Sequence, residues 1–186
     1  SEARRPPTCS PTPVPPAPRP APVPDAPFAL HERSLTQLAT MMTEGKQTAA
    51  TLVALYRNRI DALDPELSAV LELNPDADAI AAALDEERAH AGPRSPLHGI
   101  PILLEDNIAT ADRTQTTAGS LALVGVRPRT DSAVAKRLRD AGAVLLGKAN
   151  MSEWANFRSR HASSGWSSRG GQCHNPYAEA RNPCGS

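Results

Sequence analysis

Across residues 34–146 the apolar positions repeat at helical spacing in some stretches and form short unbroken runs in others, and the two patterns alternate. Leu35, Leu38, Ala39 and Met42 fall three and four apart behind Ser34, a good cap, and predict an amphipathic helix ending near Gly45. Thr48 opens a second helix over Leu52, Leu55, Tyr56, Ile60 and Leu63, expected to stop at Pro65. Residues 68–73 read as a strand and residues 76–90 as an Ala-rich helix. Residues 99–104 read as a buried strand introduced by a Pro-Leu-His-Gly turn. Asp131 is the expected cap of a helix through Val134, Leu138 and Ala141, followed by Gly142 and an apolar strand over residues 143–146. Strands separated by helices imply an α/β sheet.

The pattern fails at the N-terminus, where composition takes over. Eleven of the 19 prolines fall in the first 27 residues, alternating with Ala, Thr, Val and Arg. Proline fixes φ and removes a donor, so residues 1–28 are expected to form an extended, disordered tail of polyproline type, leaving 29–186 for the folded part. Such a tail serves as a spacer or as an unselected leader. A chain opening at Ser1 without Met suggests that something upstream was removed, and the tail favours export, periplasmic or secreted, with localisation otherwise open.

Charge and cysteine usage narrow the partners. Twenty Lys and Arg balance 20 Asp and Glu, so the chain lacks the single-sign field that nucleic acid or an anionic membrane would call for. No apolar run approaches the ~20 residues of a membrane-spanning helix. Neither nucleic acid nor membrane is expected as a partner. Cys9, Cys173 and Cys184 form no CxxC pair, so a zinc site is not indicated. Cys173 and Cys184 could form a bridge, with free thiols the default.

The chemistry appears in four ordered segments. They are Leu97-His98-Gly99-Ile100-Pro101-Ile102-Leu103-Leu104-Glu105-Asp106-Asn107, Gly119-Ser120, the run from Ala141 through Gly147-Lys148-Ala149-Asn150-Met151-Ser152-Glu153-Trp154, and Gly170-Gly171-Gln172 through Pro183-Cys184-Gly185-Ser186. In order and spacing they resemble the N-terminal half of the amidase signature family, over roughly residues 30–186. The Ser-Glu-Trp-Ala-Asn-Phe and Ser-Gly-Trp-Ser-Ser-Arg-Gly-Gly-Gln runs look most like its bacterial peptide amidases. The resemblance implies a mixed sheet flanked by helices, with only the N-terminal part of that domain in this chain. It also implies a hydrolase of amide bonds with a Ser-Ser-Lys relay, in which a neutral lysine works through a bridging serine to activate a nucleophilic serine. A serine hydroxyl is a poor nucleophile until a base takes its proton, and lysine serves only if burial lowers its pKa. No cofactor or metal is implied.

Two departures limit what carries over. The family's lysine position is Glu105 here, which brings an anion to a site that must itself develop an oxyanion. A severe loss of ordinary amidase activity is expected, whether Glu105 is an engineered substitution or a natural divergence toward a silent relative or toward altered chemistry. The family's bridging serine maps onto Ser186, so the nucleophile is expected beyond this chain, which alone is expected to be inactive. The remainder of the domain would be supplied as a second chain of a processed heterodimer or as a missing segment. A small amide or peptide is the expected ligand.

Trp154, Phe157 and Trp166 are half of the six aromatics and are candidates for a substrate wall, or equally for a packing cluster. Asp106 and Asn107 are expected to hydrogen-bond nearby backbone and shape the pocket. Lys148 is not expected to replace the missing base, because the same motif occurs in family members that have the usual lysine. His98, His161 and His174 lack metal-ligand spacing and read as turn residues. Gly170 and Gly171 lack the Lys-Ser/Thr of a phosphate loop.

Overall fold

The computed structural model describes residues 28–157, 160–178 and 181–183. Cys9, Cys184, Ser186 and the expected tail up to residue 27 lie outside them. Phe28, placed in the tail by composition, packs instead against the folded part. Its ring meets Tyr56 edge-on at 5.4 Å and lies under the Arg59 guanidinium at 4.7 Å.

Helix α1 (Leu35–Thr43) begins at a capping box in which Ser34 Oγ accepts from Gln37 N and Gln37 Oε1 accepts from Ser34 N. Helix α2 (Ala49–Leu67) starts at Thr48 with the reciprocal Thr51 bonds. A carboxylate from the next helix closes the same end, with Ala49 N and Ala50 N donating to the two Asp85 oxygens at 2.7 and 2.9 Å. The expected stop at Pro65 is corrected: the helix runs two residues further. Proline in the last turn forfeits only its own N–H bond, while Ser68 N still reaches Asp64 O at 2.7 Å. Ser68 then ends the helix in the left-handed region, at φ 50°. Asp64 Oδ1 takes the amides of Ala69 and Val70, starting strand β1 (Val70–Leu73).

Helix α3 (Ala77–Ala91) lies against α2, with Ala49, Ala77 and Ala81 fully buried. Strand β2 (Pro101–Glu105) leads through a loop to helix α4 (Ala133–Asp140) and strand β3 (Val144–Ala149). The cap of α4 is Ser132, not Asp131: Ser132 Oγ accepts from Ala135 N. Asp131 is held elsewhere, by Ala111 N at 2.6 Å and Arg139 Nε at 3.0 Å, so tertiary bonds claim the better acceptor. Two short strands, β4 (Trp166–Ser167) and β5 (Gly171–Gln172), close an antiparallel hairpin.

The main sheet has the order β1-β3-β2, with β2 parallel to β3 and β1 antiparallel to it, so it is mixed. One core, including Leu38, Met42, Leu52, Val53, Leu84, Val144 and Leu146, joins α1–α3 to the sheet. A smaller one, Leu104, Ala135 and Leu145, joins α4. Each fully buried Leu, Val or Met side chain contributes about 1.5–3 kcal/mol. Gly147 lets β1 approach: a Cβ there would stand 2.3 Å from the Glu72 carbonyl oxygen.

His98 occupies the turn before β2 and is completely buried. Its Nε2 lies 2.8 Å from Leu84 O and its Nδ1 accepts from Arg94 N at 3.2 Å, so it ties α3 to that turn.

Candidate active site

The site grows from the carboxyl end of β2. Glu105 is the last residue of the strand and half-buried, and its carbonyl accepts from Ile108 N at 3.0 Å. Among the described residues no hydrogen bond or ion pair engages its carboxylate. The register sets Leu104 opposite Lys148 and Glu105 opposite Ala149. Alternation along the strand therefore puts Lys148 on the Leu104 face and Glu105 on the other.

Asp106 is fully buried and saturated with donors. Its carbonyl accepts from Thr117 N (3.0 Å) and Ala118 N (3.1 Å). Its Oδ2 accepts from Thr117 Oγ1 and from Gly119 N (3.0 Å), and its Oδ1 from Arg169 Nη1 (3.1 Å). Arg169 in turn reaches Glu72 Oε2 at 2.9 Å, and its own amide donates to Gly119 O at 3.0 Å. One guanidinium thus ties β1, the turn after β2 and the β4–β5 hairpin together. The loop so fixed turns through Ala118 (φ 50°) and Gly119 (φ 74°). A side chain at Gly119 would also meet Ser167 Cβ at 2.7 Å. Backbone bonding by Asp106 is as the sequence implies; the roles of Arg169 and Glu72 were not foreseen. The available signal was Glu72 itself, a charge inside the apolar run Val-Leu-Glu-Leu.

Lys148 is 1% exposed and donates to Ile108 O and to Thr116 Oγ1 (3.2 Å). Burial pushes its ammonium below the ordinary lysine value, aided by Arg169 and opposed by Asp106, Asp112 and Glu72. With those bonds made, on the face away from Glu105, it is not a substitute base at that position.

A cavity of about 350 Å³ opens beside this loop, lined by Asn107, Thr116, Ala118, Leu123, Met151, Trp154 and Ala155. Trp154, Ala155 and Asn156 all have positive φ (52°, 51°, 63°), a left-handed turn held by Trp154 N on Ala118 O and Phe157 N on Trp154 O. Three consecutive non-glycine residues there represent stored strain, of the kind concentrated at functional sites. Of the three aromatics proposed as a wall, only Trp154 lines this cavity. Phe157 is 94% exposed, and Trp166 sits on β4, outside the cavity lining. Sequence proximity did not bring them together, because the left-handed turn sends residues 154 and 157 different ways. Ser186 lies outside the described residues.

The hairpin is anchored from below. Asn150 Nδ2 donates to Ser68 O, Ser167 Oγ to Asn150 Oδ1 (2.7 Å), Gly165 N to Ser152 Oγ (2.7 Å), and Ser168 N to Glu153 Oε2 (2.7 Å). Gly170 sits close against the Leu71 and Asn150 side chains, where a Cβ would fall 2.3 Å from Leu71 Cδ2. Cys173 is half-buried and has no disulfide partner among the described residues; Cys184, its candidate partner, lies outside them.

Comparison with known proteins gives a consistent answer. The sequence profile of the family described as Amidase matches residues 51–186. A putative amidase of Schizosaccharomyces pombe is 46% identical over 157 residues, which is 84% of this chain and 27% of that protein. A probable amidase of Arabidopsis thaliana is 46% identical over 161 residues, 86% of this chain and 31% of its own. The crystal structure of native peptide amidase from Stenotrophomonas maltophilia superposes with a TM-score of 0.82 at 54% identity, covering 86% of this chain and 33% of that one. The chain thus spans about a third or less of the length of these relatives.

Proposed function

Because the chain belongs to the amidase family, we propose that it forms the N-terminal part of a hydrolase acting on a carboxamide of the peptide-amide kind, with Glu105 standing in the position of the catalytic base. The observation that carries this reading is the place of Glu105. It closes β2, immediately before the saturated Asp106 that fixes the Thr116–Gly119 loop, and its own carboxylate is unengaged among the described residues. A free ionisable group beside a rigidly held loop is the arrangement a proton-transfer position needs.

In the relay implied by the resemblance, that position requires a group that is neutral before it takes a proton. A carboxylate adds a negative charge where the tetrahedral oxyanion forms. Because the position acts through the bridging serine, two hydroxyls separate it from the oxyanion; unit charges about 8 Å apart at an effective dielectric of about 20 repel by about 2 kcal/mol, roughly thirtyfold in rate. Lys148 does not restore the base, for the geometric reasons above. The bridging serine is assigned to Ser186. The nucleophile and the oxyanion donors are assigned to the remainder of the domain, arriving as a second chain or as a following segment. The edge of β2 away from β3, which carries no strand among the described residues, is where that remainder joins the sheet. Trp154 is assigned to the substrate side, where its ring faces an acyl or peptide group in the cavity.

A second reading is a silent relative that binds an amide or peptide without turnover; the unpaired Glu105 favours it, because an anion there can hold a donor without transferring a proton usefully. One experiment separates them. The complete gene product and its Glu105→Lys variant are compared for ammonia release from a peptide amide. Release by the lysine variant alone supports a disabled hydrolase, and equal release by both refutes the reading of Glu105. Release by neither, with peptide amide still bound, supports the silent relative.

A further inference from the structure

We propose that the proline-rich segment of residues 11–24 folds back onto its own domain and docks in an aromatic groove at the start of the folded part. The groove has a volume of about 510 Å³ and is walled by Phe28, Leu30, Tyr56, Leu63 and Tyr177, with Glu66 among its polar lining. It lies on the α2 side of the molecule and shares no residue with the cavity of Trp154.

Two features select the occupant. The first is chemistry: an alternating Pro-x sequence prefers the polyproline helix, whose preformed ridges are recognised by grooves lined with aromatic rings. Tyr177 offers such a ring, 84% exposed and steered by its hydroxyl, which lies 3.3 Å from Glu32 Oε1. Tyr56 offers a second, held edge-on by Phe28. The second feature is connectivity. The segment joins the fold at Phe28, itself a wall of the groove, so its effective concentration there is on the order of millimolar, above that of any free proline-rich ligand of ordinary abundance. Residues 11–24 span about 43 Å as a polyproline helix, ample for a groove of this size. Asp25 breaks the proline alternation three residues before Phe28, and aspartate favours the turn that a reversal needs. Charge does not decide the occupant, since Arg33 and Arg59 balance Glu32 and Glu66 in the lining.

The test uses the complete gene product with Ala21 replaced by a photo-reactive benzophenone residue, and cross-linked peptides are mapped by mass spectrometry. Cross-links within one molecule to the peptides carrying Tyr56, Leu63 or Tyr177 are expected. Their yield should fall about fivefold in Tyr177→Ala, an exposed position, and in a segment with Pro18, Pro20, Pro22 and Pro24 changed to Ser. Cross-links that land elsewhere, or that both variants leave unchanged, overturn the proposal. Mixing isotope-labelled with unlabelled protein adds a third arm: cross-links between copies would assign the groove to a second molecule's segment and overturn docking within one chain.

Discussion

Arg169→Met in the complete protein tests whether the guanidinium bridge is the fastener of the site. The substitution keeps the apolar stem and removes a group bonded to Asp106 Oδ1 at 3.1 Å, Glu72 Oε2 at 2.9 Å and Thr117 Oγ1 at 3.3 Å. The two acids are not equivalent. The Asp106 side chain is 0% exposed and that of Glu72 22%. Glu72 can recover water when the arginine leaves, whereas Asp106 keeps its hydroxyl and amide donors but loses its only ion-pair partner among the described residues. Breaking a buried pair by removing one partner costs about 3–5 kcal/mol, against about 0–1 kcal/mol for a solvated pair. Arg169→Met should therefore fall in the upper range, and Glu72→Gln should cost about 1 kcal/mol. In urea melts followed by circular dichroism, the double variant Arg169→Met with Asp106→Asn should recover part of the loss, because the uncompensated charge is gone. A loss below about 1 kcal/mol for Arg169→Met, or one equal to that of Glu72→Gln, would refute the argument that burial of Asp106 decides the energetics.

Further outcomes follow from single contacts. Burial alone would raise the Asp112 pKa, but the Thr114 hydroxyl and amide and the Arg139 guanidinium outweigh it and hold the carboxyl below its ordinary range. Its stabilisation is thus present above the unfolded value near 3.8 and is lost as pH falls through the folded one. The gap between native protein and Asp112→Asn in urea melts should be open at pH 7 and narrow progressively as pH falls below about 4; a gap independent of pH contradicts this. Gly147→Ala drives a methyl against the Glu72 carbonyl oxygen at 2.3 Å, on backbone that cannot rotate away, and should cost at least about 1–3 kcal/mol with lost β1–β3 pairing, read by hydrogen exchange of Leu73 and Asn74. Phe157→Ala should change stability by less than about 0.5 kcal/mol, whereas Trp154→Ala in the Glu105→Lys background should raise KM for a peptide amide. Equal KM effects from the two would restore the continuous aromatic wall.

Features carried by neighbours along the chain were legible before any folding was considered. The caps at Ser34 and Thr48 and the helical spacing through Ile60 act within one or two turns, and the apolar runs of β2 and β3 announce burial wherever they end up. Four ordered segments were likewise enough to identify the family and to mark Glu105 as the departure. Tertiary structure decided whatever depends on groups distant in the chain competing for one partner. Asp131 was a sound cap by local rules and lost that place to Ser132 because Arg139 and Ala111 bind it more fully. Pro65 carries a local stop signal, yet the bond from Ser68 to Asp64 carries the helix past it. Trp154 and Phe157 lie three apart in sequence, but a left-handed turn sets one beside a cavity and the other in solvent. The bridge from Glu72 through Arg169 to Asp106 joins residues up to 97 positions apart, a distance over which periodicity and local propensity carry no information. Folding brings those charges within 3.1 Å, and only there does burial make one arginine decisive.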